Sequence, residues 1–193
     1  VISEENKLKL ITEKRIEYFD YCLICSHPPQ TLEMFKNADY LTKNLLSKFK
    51  YQKNKAVLHF DESVLPREKI AWAAWNYLST ETTTGNDTVS VSYLINKLQP
   101  LPVNKAVIVT LNPAIKIDKN KVVKEINYEH PLFSKEAIMA QQTMDSIQGR
   151  EGVYFSGAWL RYGFHEDGIL SSKSVVNKLL EDDGKNERLL RIL

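Results

Sequence analysis

His165, Glu166 and Asp167 stand in a row between Gly163 and Gly168, in a stretch from Val153 to Ile169 that holds three of the chain's seven glycines. An imidazole and two carboxylates side by side suit general acid–base work or metal ligation. Asp167 has a competing reading as the cap of a following helix. The glycines matter as much as the charged groups. Val153 to Phe155 reads as a short apolar strand, Gly157 to Gly163 as a loop with aromatics, and Val175, Val176, Leu179 and Leu180 as the apolar stripe of a helix. A strand, a glycine-bearing crossing and a helix start bring backbone N–H groups and a positive dipole end to one place. An anionic or carbonyl-bearing ligand would dock there.

Other residues with chemical potential read less sharply. Cys22 and Cys25, followed by His27, lie in an apolar run from Phe19 to Cys25 that reads as a strand buried on both faces. Residues three apart on a strand face opposite ways, so the two thiols do not share one ion, and no metal is expected. A redox Cys-x-x-Cys would sit at a helix start instead. Lys43, Lys48, Lys50, Lys53 and Lys55 fall in a stretch without acidic residues. They read as a solvated helix face and loop rather than a nucleic-acid patch, which needs its charge on one face with interleaved aromatics. Trp72, Trp75 and Tyr77 form the densest aromatic cluster, on a segment that reads as a strand from Ala71 to Tyr77. They serve either as sheet packing or as the aromatic wall of an apolar substrate cavity. The chain contains no Gly-x-Ser-x-Gly elbow and no glycine-rich phosphate loop of either common kind.

The elements that position these groups alternate in type. Strands are expected at Lys7–Ile11, Ala56–Phe60, Val89–Tyr93, Ala106–Leu111 and Lys121–Tyr128, from alternating or short continuous apolar runs. Helices are expected from Thr31 to Phe49, through Leu32, Phe35, Leu41, Leu45 and Leu46, and from the N-cap Ser134 to Gln148, with Gly149 as the stop. A short helix follows Tyr93 and ends by Leu98. Thr84-Gly85-Asn86-Asp87 signals a turn, and the polar residues from Glu181 onward read as a tail in which Leu189, Leu190, Ile192 and Leu193 dock. The class is α+β, with an antiparallel meander in the middle.

Composition bounds the rest. The 193 residues, 43% hydrophobic and 26% charged, suit one domain or parts of two. A net charge of +2 selects no polyanionic partner, and no nucleic acid is expected. No apolar run reaches the roughly 20 residues of a membrane span. The N-terminus has no signal-peptide pattern and no initiator methionine, and so reads as a processed or excised piece. Two cysteines make no disulfide framework, so a reducing cytoplasm is the expected location.

Several motifs, taken in order, resemble one family. They are Phe19-Asp20-Tyr21-Cys22-Leu23-Ile24-Cys25-Ser26-His27, Val57-Leu58-His59-Phe60-Asp61, Leu65-Pro66-Arg67 and Ala71-Trp72-Ala73-Ala74-Trp75-Asn76-Tyr77. Thr110-Leu111-Asn112-Pro113, His130-Pro131-Leu132-Phe133 and Gly157-Ala158-Trp159 through Gly168 continue the series. Together they resemble the C-terminal portion of a bacterial FAD-dependent amine-oxidase-like protein, of the branch described as predicted NAD/FAD-binding proteins. The resemblance implies a flavoprotein oxidoreductase whose final strand-loop-helix meets the flavin. Gly157, Ala158 and Trp159 would approach the ribityl and pyrophosphate region, Gly163 to Asp167 would complete the loop, and Gly168 and Ile169 would lie nearest the ring. Phe164, His165 and Glu166 belong to the same cofactor-facing set.

Residues 1–50 would form the junction returning to the FAD domain, and 51–148 the substrate-binding part with Trp72, Trp75 and Tyr77. Residues 149–180 would be the cofactor-binding strand-loop-helix, and 181–193 a polar tail. The implied substrate is small and apolar or lipid-like. The implied partner is an N-terminal half bearing the Gly-x-Gly-x-x-Gly turn, which this sequence lacks. Without that half the chain reads as a remnant or as one subunit of a split flavoprotein. Two positions depart from the pattern: Ala158 stands where the wider superfamily often has an acid, and Ser172 where it often has glycine.

Overall fold

The computed structural model describes residues 1–4, 7–80 and 88–184. Strands β1 (Ile2–Glu4), β2 (Lys7–Ile11), β3 (Ile16–Phe19) and β4 (Cys22–Ile24) come first. Helices α1 (Pro28–Met34) and α2 (Tyr40–Leu46) lead to strand β5 (Tyr51–His59). Strands β6 (Trp75–Thr80) and β7 (Thr88–Leu94), the short helix α3 (Ile95–Leu98), and strands β8 (Ile108–Leu111) and β9 (Val122–Pro131) follow. Helix α4 (Lys135–Gln141), strand β10 (Val153–Phe155) and helix α5 (His165–Gly184) complete the described chain. The fold is α+β, as the sequence implies. The chain divides into two units, Val1–Tyr51 with Pro131–Leu193, and Gln52–His130.

In the first unit β1, β2 and β3 make an antiparallel sheet, and β4 pairs in parallel with β10, Leu23 opposite Tyr154. The run from Phe19 to Cys25 is therefore not one strand. It divides between two sheets, and Phe19 and Leu23 are 42% and 39% exposed rather than buried on both faces. Asp20, ion-paired with Lys7, stands where the chain leaves one sheet for the other. The helix expected from 31 to 49 is likewise two. Phe35 leaves helical geometry, and Asp39 restarts the chain as an N-cap, its Oδ1 accepting the Thr42 N–H at 2.7 Å. Ser134 caps α4 as its sequence position implies, accepting the Ala137 N–H at 3.2 Å, but the α-helix stops at Gln141 and a 3-10 turn at Met144–Ser146 carries the chain onward. Leu8, Ile24, Phe35, Leu46, Phe49, Ile147, Phe155 and Trp159 form the core of this unit.

In the second unit the sheet order is β6-β7-β8-β5-β9, with β6, β7 and β8 forming the antiparallel meander. Its buried face carries polar groups beside the core residues Val57, Leu94 and Ile108. Asn76, Ser90, Ser92, Thr110 and His59 lie on the buried face, while Trp75, Tyr77 and Val89 on the other are exposed and Tyr93 is half-buried. The buried polar groups satisfy one another. His59 Nδ1 accepts the Asp61 N–H at 3.0 Å, so Nε2 carries the proton and donates to Thr110 Oγ1 at 2.8 Å. Thr110 and Ser92 hydroxyls meet at 2.8 Å, and Asn76 Nδ2 donates to the Ser92 carbonyl.

Burial lowers the His59 pKa below the ordinary imidazole value, against the smaller upward pull of Asp61. The unfolded chain therefore binds the proton at higher pH than the folded one, and stability falls as pH drops below about 6.5. A urea midpoint that declines between pH 7 and 5 is expected. A midpoint that stays flat or rises over that interval would contradict the buried neutral imidazole.

Candidate functional site

The stretch around His165 takes shape from three anchors in the first unit. Strand β10 is fully buried. Its last residue, Phe155, is gripped by Gln148, whose amide accepts the Phe155 N–H at 2.8 Å and donates to the Phe155 carbonyl at 2.7 Å. Gln141 reaches the turn that follows, donating to the carbonyls of Trp159 at 2.8 Å and Arg161 at 2.7 Å. A hydroxyl cluster then ties the strand end to α5. Ser156 Oγ lies 3.0 Å from Ser171 Oγ and 2.9 Å from Ser172 Oγ; both of those hydroxyls donate to the Gly168 carbonyl, and Ser171 Oγ accepts the Gly157 N–H. Ser172 thus holds the helix to the strand.

Trp159 is 4% exposed and meets Phe49 edge-on, ring centres 4.6 Å apart. Its indole N–H is buried and has no acceptor among the described residues. Glycine at 157 follows directly, because a Cβ there would overlap the indole, with Cδ1 at 2.6 Å. Gly163 has φ +88°, a left-handed conformation that favours glycine, and its N–H donates to the Ala158 carbonyl.

Helix α5 opens at His165, and Asp167 turns inward. The Asp167 Oδ2 accepts the N–H of Phe164 at 3.0 Å and of Tyr162 at 3.2 Å, while Oδ1 lies 3.5 Å from Arg161 Nε. This is the reach of a third-position acid back to the residue before the helix. Asp167 thus caps the helix from its third position and not, as the sequence implies, from the residue that precedes it. His165 and Glu166 point outward, as do Phe164 (68% exposed) and Ile169 (58%). Gly168 has ordinary clearance: an added Cβ would meet Ala158 Cβ and N at 3.9 Å. Among the described residues no group of three or more His, Cys, Asp or Glu is gathered to hold a metal. Cys25 is exposed, and burial raises the pKa of Cys22, which disfavours its thiolate.

The aromatic cluster separates in the second unit. Strand β6 begins only at Trp75, so Trp72 is not on it. Trp72 follows a 3-10 turn at Lys69–Ala71, donates its indole N–H to the Pro66 carbonyl at 2.8 Å, and packs against the core. Trp75 and Tyr77 share the open face, 65% and 71% exposed, with Tyr93 edge-on to Trp75. A cavity of about 340 Å³ adjoins them, lined also by Leu65, Pro66 and Ala73. His59 is wholly buried. Phe49, which could have served as an interleaved aromatic among the lysines, is core. The positioning residues Gln141, Gln148, Ser156 and Ser171 carry no sequence motif; only the expected helix from 134 to 148 placed the two glutamines in one element.

No protein-family model matches the sequence. No curated protein matches it either. Among solved structures the chain is similar to a CLA-producing fatty acid isomerase from P. acnes, at 14% identity and a TM-score of 0.61 over 92% of this chain. It is also similar to a candidate protoporphyrinogen oxidase from Exiguobacterium sp. 255-15, at 14% identity and a TM-score of 0.56, again over 92%. It spans 45% of the length of each. The α+β fold is thus shared with about half of each of these two proteins. No helix among the described residues is long and apolar enough to cross a membrane.

Proposed function

We propose that the chain is the C-terminal part of an FAD-dependent, amine-oxidase-like oxidoreductase. The observation that carries this reading is Gly168 in the first turn of α5. A glycine inside a helix costs roughly 0.5–1 kcal/mol relative to alanine, yet the chain's own packing leaves room for a Cβ there. Close approach of a ligand to the helix start accounts for it. The residues present fit a flavin in two further ways. The positive end of a long helix suits the negative charge that a reduced flavin carries on its pyrimidine side. The buried Trp159 N–H, without an acceptor among the described residues, lies beside Gly157 in the loop that would meet the ribityl and pyrophosphate groups.

The bound flavin would supply the redox chemistry, accepting a hydride from the substrate. Gly157, Ala158, Trp159 and Gly163 to Ile169 would hold and orient it. Asp167, tied to two N–H groups and Arg161, keeps the loop in register. The open face bearing Trp75 and Tyr77, with Val89 and Tyr93, favours an apolar or lipid-like substrate. On this reading residues 1–50 are the junction, 51–148 the substrate-binding part, 149–180 the cofactor-facing part and 181–193 a tail.

A second reading makes the chain a non-catalytic remnant or one subunit of a split flavoprotein. A dinucleotide-binding half is recognised by a Gly-x-Gly-x-x-Gly turn, which these 193 residues do not contain. One experiment separates the two. The chain is mixed with FAD, desalted, and its visible spectrum recorded, alone and after addition of a polypeptide carrying a dinucleotide-binding half. Retention by the chain alone supports autonomous binding. A flavin band only with the added half supports the split protein, and no band in either case sinks the flavin reading.

A further inference from the structure

The second unit carries a cavity of about 380 Å³ that the flavin reading does not use. Its accessible apolar lining is Pro113, Ile115 and Val122, all half-buried, backed by the core residues Val57 and Ile117. Its wall is the segment from Pro113 to Ile117. That segment is pinned at both ends. On one side Asn112, in a left-handed conformation at φ +47°, accepts the Lys55 N–H through its side chain at 3.0 Å and donates its own N–H to the Lys55 carbonyl at 2.8 Å. On the other, the Asp118 N–H donates to the buried Asp61 Oδ2 at 2.9 Å. The cavity is therefore built by the fold before any ligand arrives.

Its rim is charged with one predominant sign. Lys55, Lys116, Lys119 and Glu125 line it. Lys55 and Glu125 pair at 2.8 Å and neutralise each other, whereas Lys116 and Lys119 are in no ion pair among the described residues. The exposed Asp118 lies between them in sequence, with its Oδ1 engaged by the Asn120 N–H at 2.9 Å. We infer that this cavity binds a small anionic amphiphile, its alkyl or aryl part on Pro113, Ile115 and Val122 and its carboxylate between Lys116 and Lys119. The volume lies toward the lower end of the roughly 300–1,000 Å³ of small-molecule sites, which sets the scale of the guest.

The test uses the full chain with octanoate, octanol and octyltrimethylammonium as probes, followed by calorimetry and by methyl NMR of Ile115, Ile117 and Val122. Octanoate is expected to shift these methyls and to bind at least about tenfold more tightly than octanol, the equivalent of 1.4 kcal/mol. The cationic probe should not bind there. Both lysines are exposed, so the Lys116→Glu, Lys119→Glu double variant should fold, and it should lose octanoate affinity by a similar factor. Octanol binding as tightly as octanoate, octanoate shifts confined to the Trp75 and Tyr77 face, or unchanged affinity in the double variant would each overturn the assignment. None of these readouts involves flavin.

Discussion

Replacing Gly157 with valine is expected to destabilise the first unit by about 3 kcal/mol, near the upper end of overpacking costs. The reason is the rigidity of what the new side chain meets. An added Cβ would overlap the Trp159 indole, and that ring cannot retreat. It is buried against Phe49, and its carbonyl is held by Gln141. The control is Gly168→Ala, whose Cβ meets nothing closer than 3.9 Å. That change should leave stability unchanged or raise it slightly, since alanine restricts the unfolded chain. Urea unfolding of both variants measures the contrast. Equal midpoints for Gly157→Val and the parent would mean that Trp159 is not fixed as described.

Loss of the Asp61 carboxylate is expected to cost about 3 kcal/mol in the second unit. Asp61 is 4% exposed, and its two oxygens serve three donors: the Ser63 N–H at 3.2 Å, the Asp118 N–H at 2.9 Å and Lys121 Nζ at 3.1 Å. Burial pushes its pKa up, but these donors outweigh burial and hold the carboxyl well below its ordinary value. Because the folded pKa is depressed, this stability is present above about pH 3.9 and is lost as pH falls further. Asp61→Ala leaves two backbone N–H groups without their acceptor. Its thermal or urea midpoint should therefore fall at neutral pH, and the parent's advantage should shrink below pH 3. A variant as stable as the parent at pH 7 would show that water replaces the carboxylate freely.

The sequence carried the elements better than their ends. Ser134 announced its helix because a hydroxyl before an apolar periodic run has one good use. Val89 to Tyr93 announced its strand by alternation. The run from Phe19 to Cys25 misled because continuous apolar residues do not record where a chain changes sheets; Asp20, inside it, was the available signal. The helix from 31 to 49 misled because its apolar spacing survives the break at Phe35, while Asp39, a strong cap, sat unread in its middle. Trp72 misled because its spacing to Trp75 fits a strand that starts three residues later.

At the site, the capping role of Asp167 was legible, since caps depend on residue type. The grip of Gln141 and Gln148 was not, because an amide has the same spelling in solvent as on a strand edge. The turn at Thr84–Asp87 and the docking of Leu189 to Leu193 lie outside the described residues.

The hold of Gln148 on Phe155 has a consequence for the molecule among its neighbours. A strand edge with free peptide groups is a template on which another chain can add itself, and short buried strands are no exception when they open. Strand β10 pairs with β4 on one side. On the other, the Gln148 amide offers Phe155 a donor and an acceptor as a neighbouring peptide would. One side chain thus blunts that edge against self-association, and it does so without lengthening the sheet.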